Sequence, residues 1–166
     1  MFYNLNLLHL AVFLGAMACV HLARREVRGR PMSRGRLFML PALATLIALI
    51  LLLFHLADGD PLWTFGAAFA GGMAGGAVRG ATMKLQVDQT WLLMRPSGSS
   101  ALVWVTLALA LAVGLEIGGA IAGPDGHAFR FIGAEGAAVC AGLLLGRAFA
   151  FAARLWRAPH VELRRM

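Results

Sequence analysis

Charged side chains are scarce in this sequence: Asp, Glu, Lys and Arg make up 14% of its 166 residues, whereas soluble domains carry about 25%. Apolar residues account for 60% of the chain, and the mean hydropathy is +0.74. A soluble fold of this size cannot hide so many apolar side chains, because a small domain leaves much of its surface exposed. The composition and length predict an integral membrane protein with one domain, residues 1–166.

Acidic residues are few, eight against fifteen Lys and Arg, so the formal net charge is +7. The basic residues stand in short blocks between apolar runs, where the topology signals of membrane proteins are found. A nucleic-acid-binding face needs basic residues clustered on a folded polar surface. We therefore expect the lipid bilayer, and no nucleic acid, as a partner of this chain.

Only two cysteines occur, Cys19 and Cys140, and both lie inside apolar runs without a CxxC pair. A disulfide framework is thereby excluded, and both thiols are interpreted as small apolar packing groups. The sequence also contains no nucleophile–base pair and no metal-ligand triad. It predicts neither an enzyme nor a bound cofactor.

Apolar runs long enough to cross a membrane dominate the chain, since a helix needs about 20 residues to span the hydrocarbon core. The first run follows no basic segment, so we interpret it as a retained helix rather than a signal peptide. The third run is shorter and rich in glycine, but without it the basic segments on either side would lie on opposite faces of the membrane. We predict an all-α bundle of about five transmembrane helices, over residues 3–23, 37–57, 62–78, 101–122 and 129–152.

The loops between these runs set the predicted orientation. Thirteen of the fifteen Lys and Arg residues fall on one side of the five-helix arrangement; the exceptions are Arg130 in the fourth loop and Arg147 within the last helix. The positive-inside rule places the basic side in the cytoplasm. We therefore predict a bacterial inner-membrane protein with a periplasmic N-terminus and a cytoplasmic C-terminus.

A short cytoplasmic β-hairpin is predicted between the third and fourth helices. Residues 83–87 alternate apolar with polar side chains, Asp88 and Gln89 favour a turn, and residues 90–95 are rich in strand formers. A lone hairpin is marginal in water. This one therefore has to rest on the helical bundle or on the membrane surface.

Glycines recur four residues apart in three of the predicted helices. Such spacing lets the backbones of membrane helices approach closely. We interpret it as close packing inside the bundle; the alternative is a pore or a dimer face. The glycines are Gly72, Gly76 and Gly80, Gly114 and Gly118, and Gly142 and Gly146.

Ionisable side chains within the apolar runs are the best candidates for function, because a charge inside a membrane costs at least a few kcal/mol. At a rise of about 1.5 Å per residue, Glu116 and Glu135 lie at similar depths in the predicted outer leaflet. His9 lies near the same level and His55 slightly higher. We interpret the two carboxyl groups as hydrogen-bonded structural groups. The alternatives are a proton or metal site shared with the histidines, and simple access to outer water.

Three further residues are candidates at the cytoplasmic face: Arg79, Asp88 and Arg147. Arg79 ends the third helix and is interpreted as an anchor. The long side chain of Arg147 is expected to extend toward the lipid headgroups, and the alternative is a polar contact with Asp88 or the hairpin. His9 and His55 share a level, but nothing else in the sequence frames a haem.

Several of these features occur in a fixed order along residues 30–154. They are the basic segment Arg30–Arg34, the Leu40-Pro41 pair, the glycine-spaced third helix, the hairpin Lys84–Arg95 with its Arg95-Pro96-Ser97 exit, and Gly146-Arg147 in the last helix. In this order of features, the chain resembles the CcdC-like family of bacterial membrane proteins. That family has no established biochemical activity. Because it takes its name from a cytochrome c biogenesis locus, the resemblance implies an association with cytochrome maturation.

We therefore expect a non-enzymatic accessory or assembly protein, linked to cytochrome c or respiratory-complex maturation. Its small-residue helix faces are available to other membrane proteins or to a second copy of the chain. The alternative is a small proton-coupled or metal transporter that uses His9, Glu116 and Glu135. Transporters ordinarily show internal repeats or broken helices, and the halves of this chain do not repeat.

Overall fold

The computed structural model describes residues 7–28, 32–83, 85–88, 93–96 and 100–155. Helices account for most of them, a 3-10 turn (Gly123–Gly126) joins the last two helices, and three short strands form a sheet. The helices are α1 (Leu7–Val27), α2 (Arg34–Asp58), α3 (Leu62–Thr82), α4 (Ser100–Ala122) and α5 (His127–Arg154); the strands are β1 (Met32–Ser33), β2 (Leu85–Asp88) and β3 (Leu93–Pro96).

The five predicted apolar runs are helical where the structure describes them, which confirms the largely all-α class. The helices extend past several predicted span ends: α1 continues to Val27 and α2 begins at Arg34. Arginine is a good helix former, so a helix does not have to stop where its apolar run stops. Residues 1–6, which include the start of the first predicted span, lie outside the described residues.

Three described segments are long and apolar enough to cross a membrane: residues 7–27, 35–58 and 100–154. The last of them contains both α4, with 23 residues, and α5, with 28, each longer than the about 20 residues that one crossing needs. α3 is not among these segments; six of its 21 residues are glycine. The apolar segments indicate a membrane protein.

The exposed surface of the helices is apolar, whereas the interior contains polar groups. Leu53, Leu111 and Trp104 are 62%, 67% and 72% exposed, while His55 and Glu116 are fully buried. Large apolar surfaces of this kind are uncommon on soluble monomers. They are compatible with a bundle that crosses a membrane, where polar residues ordinarily face inward.

α5 lies at the centre of the bundle. It packs against α2, α3 and α4, while α1 packs against α2 and α4. α4 and α5 are antiparallel, since Gly126 of the turn lies against Gly119, and Gly133 further along α5 lies against Ala112. The chain therefore reverses within the short turn between them.

Glycines set the distance between α3 and α5, which run parallel. A methyl group at Gly72 would overlap the carbonyl oxygen of Val139, and one at Gly76 would overlap that of Leu143. These two glycines therefore pack the helices inside the bundle, as predicted. The same close approach occurs at Gly80, Gly142 and Gly146, whereas a methyl group at Gly114 or Gly118 would meet no atom within 4 Å.

The three strands form an antiparallel sheet in the order β1-β3-β2. β2 and β3 occupy the segment predicted as a hairpin, and they pair from Leu85 opposite Pro96 to Asp88 opposite Leu93. The turn predicted at Asp88 and Gln89 is wrong for Asp88, which belongs to β2 and pairs with Leu93; residues 89–92 lie outside the described residues. β1 was not predicted, because two residues are too few to show an alternating pattern.

The sheet rests on the helix ends through an apolar cluster. Leu85 and Val87 of β2 are buried in this cluster with Leu37 of α2 and Phe151 of α5. This end of the bundle is termed the sheet end. The opposite end, where short turns connect α2 to α3 and α4 to α5, is termed the turn end.

A buried ion-pair network as the candidate functional site

The chain turns back on itself after α2, so that the carboxylate of Asp60 lies beside the last turn of that helix. Gly59 adopts the left-handed conformation (φ 83°) that ends many helices and that costs glycine little. The amide of Asp60 then donates to the carbonyl oxygen of His55 at 3.1 Å. This local fold places the side chain of Asp60 beside the imidazole ring of His55.

A second tight turn aligns α4 with α5. Gly119 and Gly126 pack so closely that neither has room for a side chain, and Gly133 lies against the backbone of Glu116 in the same way. Because Arg130 stands about one helical turn before Gly133, it is held opposite Glu116. The glycines therefore determine which residue of α5 faces the buried glutamate.

Glu116 and Arg130 form an ion pair. Nε of Arg130 donates to Oε1 of Glu116 at 3.0 Å, and Nη1 donates to Oδ2 of Asp58 at 2.9 Å. The side chain of Glu116 is fully buried, while those of Arg130 and Asp58 are 20% and 39% exposed. One guanidinium thus compensates the buried carboxylate and joins α4 and α5 to the end of α2.

His55 is fully buried between two carboxyl groups. Its Nδ1 lies 2.6 Å from Oδ2 of Asp60, and its Nε2 lies 3.2 Å from Oε2 of Glu116. His127, which is half-exposed, continues the row with Nε2 at 3.4 Å from the same oxygen of Asp60. Together these residues connect the buried carboxylate to the surface at the turn end.

The two hydrogen bonds of the His55 ring restrict which groups in this row can donate a proton. A protonated imidazole at His55 donates to both carboxylates, whereas a neutral ring donates to one and needs a proton on the other carboxyl group. In either case Glu116, His55 and Asp60 form one hydrogen-bonded row.

Aromatic rings enclose the imidazole. The ring centroids of Phe65 and Phe131 lie 5.4 and 6.0 Å from that of His55, and 5.3 Å from each other. Such edge and tilted contacts are favourable aromatic geometries. The fully buried ring of His55 therefore has these aromatic side chains and the hydrogen-bonded row as neighbours.

The structure brings together two of the four residues predicted in the outer leaflet. His55 and Glu116 contact each other directly. The ring of His9 stacks on Phe54 of α2 with the centroids 4.9 Å apart. Glu135 is half-buried on α5, and within the residues that the structure describes it makes no hydrogen bond or ion pair.

Arg130, which was predicted in the fourth loop, completes the network together with Asp58 and Asp60, which were not predicted as site residues. The signal that could have identified them is opposite charge on either side of a tight turn. Asp60 follows His55 across Gly59, and Arg130 follows Glu116 across a turn that contains Gly123, Pro124 and Gly126.

At the sheet end, Arg147 has a partner that was not predicted. Its Nη2 donates to Oε1 of Glu26 at 2.5 Å, which joins α5 to the last turn of α1. Its guanidinium carbon also lies 4.7 Å from the centre of the Phe151 ring, within reach of a cation–π interaction. Asp88 is buried in β2, and Arg79 is exposed near the end of α3.

The described residues include no group of three or more His, Cys, Asp or Glu side chains placed to hold a metal ion. In comparisons with known proteins, no family model, no curated protein and no solved structure matches the chain. The resemblance to the CcdC-like family stays a prediction from the sequence.

Proposed function

We propose that this chain is a non-enzymatic accessory protein of the membrane, in which the network around Glu116 is structural. The observation that carries the proposal is charge compensation: the buried carboxylate faces the guanidinium of Arg130 at 3.0 Å and the ring of His55 at 3.2 Å. Burying a carboxylate costs several kcal/mol, which a well-formed pair with further hydrogen bonds offsets. A carboxylate held in this way fastens helices together and is poorly placed to carry a proton or ion across.

The layer between the two ends of the bundle supports the same proposal. It is built from aliphatic and small side chains, such as Leu109 and Leu144. Thr106 is buried there, and its hydroxyl group donates to the carbonyl oxygens of Leu102 and Val103 in its own helix. A proton pathway needs a chain of polar groups, and the described residues supply none across this layer.

We also propose that all five helices cross the bacterial inner membrane with the sheet end in the cytoplasm. α3 is parallel to α5, as five crossings require, since the third and fifth helices then run in the same direction. The turn end carries Asp58, Asp60 and Asp125, while most arginines of the described helices stand at the sheet end. The positive-inside rule favours the basic end as the cytoplasmic one.

Cysteine labelling in intact cells tests this topology. Arg28, Ala81 and Asp125 are exposed, and each is replaced singly by cysteine in a chain whose Cys19 and Cys140 are alanine. We expect a membrane-impermeant maleimide to label Asp125→Cys from the periplasm, and to label the other two only after lysis.

Gly126 is a poor labelling site in the same turn, because a side chain there would overlap the backbone of Gly119. The reverse labelling pattern would show that α3 does not cross the membrane. In that case Ala81→Cys would react from the periplasm and Asp125→Cys would not, because α4 and α5 would then run in the opposite directions.

The assembly role that we propose concerns cytochrome c or respiratory-complex maturation, and it is supported by the resemblance to the CcdC-like family. It is tested by a haem stain of membrane c-type cytochromes in a deletion strain beside its parent. We expect the stained cytochromes to decrease in the deletion strain and to return when the wild-type chain is supplied. An unchanged pattern would contradict a role in cytochrome maturation.

Proton handling is a second candidate function, and one observation favours it. The row Glu116–His55–Asp60 connects a fully buried carboxyl group to one that is 13% exposed. The test uses proteoliposomes with a pH gradient. If the chain carries protons, the wild type dissipates the gradient and the Glu116→Gln variant does not. The Glu135→Gln variant, altered outside the row, is the matched control. Under our proposal the wild-type chain dissipates the gradient no faster than empty liposomes.

A further inference from the structure

A groove separates α3 from α4 at the sheet end. Both helices pack extensively on α5 but make little contact with each other, so α5 forms the floor of the groove. A cavity opens between them, lined by Gly76 of α3, Ala101 and Val105 of α4, and Leu143 of α5. Its walls are therefore small and aliphatic, like the surface that an acyl chain contacts in a bilayer.

Two arginines also line this cavity, Arg79 and Arg147. The charge of Arg147 is compensated by Glu26, and its guanidinium stacks on Phe151. Arg79 lies about one helical turn beyond Gly76 and is exposed, and its guanidinium group makes no hydrogen bond or ion pair within the described part of the chain. The cavity thus combines an apolar groove with one uncompensated positive charge.

We propose that this groove binds an anionic phospholipid, with its phosphate group at Arg79 and an acyl chain between α3 and α4 on the surface of α5. The ligand must carry both parts. Inorganic phosphate has no chain to fill the apolar groove, and a zwitterionic phospholipid carries no net negative charge to complement Arg79. The inference goes beyond the proposed accessory role, and it requires only that the bundle lies in lipid.

Native mass spectrometry of the full-length chain in detergent tests the site, with phosphatidylglycerol and phosphatidylcholine of identical acyl chains as probes. We expect phosphatidylglycerol to bind about fivefold more tightly, the preference that one basic residue near a membrane surface supplies. Arg79→Gln should abolish the preference and Arg79→Lys should retain it. Arg28→Gln, which removes an exposed arginine that does not line the cavity, should leave it unchanged.

The groove is tested separately from the charge. Val105→Phe fills the cavity and should lower the binding of both lipids several-fold, whereas Leu107→Phe, on α4 outside the cavity, should not. Size-exclusion profiles and thermal unfolding identify any variant that fails to fold. If a phenylalanine variant fails to fold, the comparison of Arg79→Gln with Arg79→Lys still tests the role of the charge.

The proposal would be overturned by equal binding of the two lipids to the wild type, by an Arg79→Gln chain that keeps the preference, or by equal binding by the two phenylalanine variants. Displacement of phosphatidylglycerol by inorganic phosphate at the same concentration would do so as well. It would show an arginine that binds free phosphate and not a lipid.

Discussion

Replacing Arg130 by glutamine is expected to lower the free energy of unfolding by about 2–3 kcal/mol, although the residue lies only three positions into α5. The change leaves the carboxylate of Glu116 buried without its guanidinium. Removing one partner from a fully buried pair costs about 3–5 kcal/mol, and we expect somewhat less here because the side chain of Arg130 is 20% exposed. Unfolding of the purified chain by SDS in mixed micelles measures the difference.

Two further variants separate the pair from general effects of losing an arginine. Arg28→Gln removes an exposed arginine near the end of α1 and should change the stability by less than about 0.5 kcal/mol. The double variant Glu116→Gln/Arg130→Gln has no carboxylate at the buried position, and the carboxylate of Asp58, which also loses its partner, is 39% exposed; it should therefore regain at least half of the loss. An Arg130→Gln chain as stable as the wild type would show that the guanidinium does not compensate Glu116.

Replacing Gly72 by alanine is expected to destabilise the bundle by at least about 2 kcal/mol, because overpacking a tight contact costs about 1–3 kcal/mol or more. The added methyl group would overlap the carbonyl oxygen of Val139. That oxygen belongs to the backbone of the central helix and cannot rotate away as a flexible side chain can. α3 has to move outward, and its main packing partner is α5. The same SDS titration measures the loss.

The neighbouring residue provides a matched control with the same chemical change. A methyl group at Gly71 meets no atom within 4 Å, so Gly71→Ala should be neutral or should stabilise α3 by up to about 1 kcal/mol through its higher helix propensity. Equal effects of the two substitutions would contradict the parallel packing of α3 on α5.

The helices could be predicted because a membrane leaves a long apolar run few alternatives. Backbone groups in lipid must bond within their own segment, so apolar length alone indicates where helices lie. The spacing of Gly72, Gly76 and Gly80 likewise indicated close packing. It did not identify the partners, because the contacts of these glycines with Val139, Leu143 and Arg147 depend on the parallel register of α3 and α5, which no single helix encodes.

The partners of the buried charges could not be predicted by treating one helix at a time. Depth counting matched Glu116 with Glu135, but the contact of Gly119 with Gly126 aligns the helices so that Arg130 faces Glu116. A single arginine beside a span end looks like a loop residue when only hydropathy is considered. In the fold, the long side chain of Arg130 extends inward and forms an ion pair with the buried carboxylate of Glu116.

The sheet end shows the same limit. In the sequence Glu26 is a lone acid among arginines, and hydropathy alone gives it no role beyond reducing the positive charge of a loop. In the fold it forms the ion pair of Arg147 and connects α1 to the central helix. The choice of partner depends on where the end of α1 lies relative to α5, and that position is set by the packing of α1 against α2 and α4.

Complementation of the deletion strain by the Glu116→Gln/Arg130→Gln chain tests most directly whether Glu116 is a structural group. The double variant keeps hydrogen-bonding side chains of similar length at both positions but has no carboxyl group at residue 116 to accept a proton. If the network is structural, the variant accumulates in the membrane and restores the haem-stained cytochromes as the wild type does. A variant that accumulates at the wild-type level but restores nothing would show that the carboxyl group itself carries out the function.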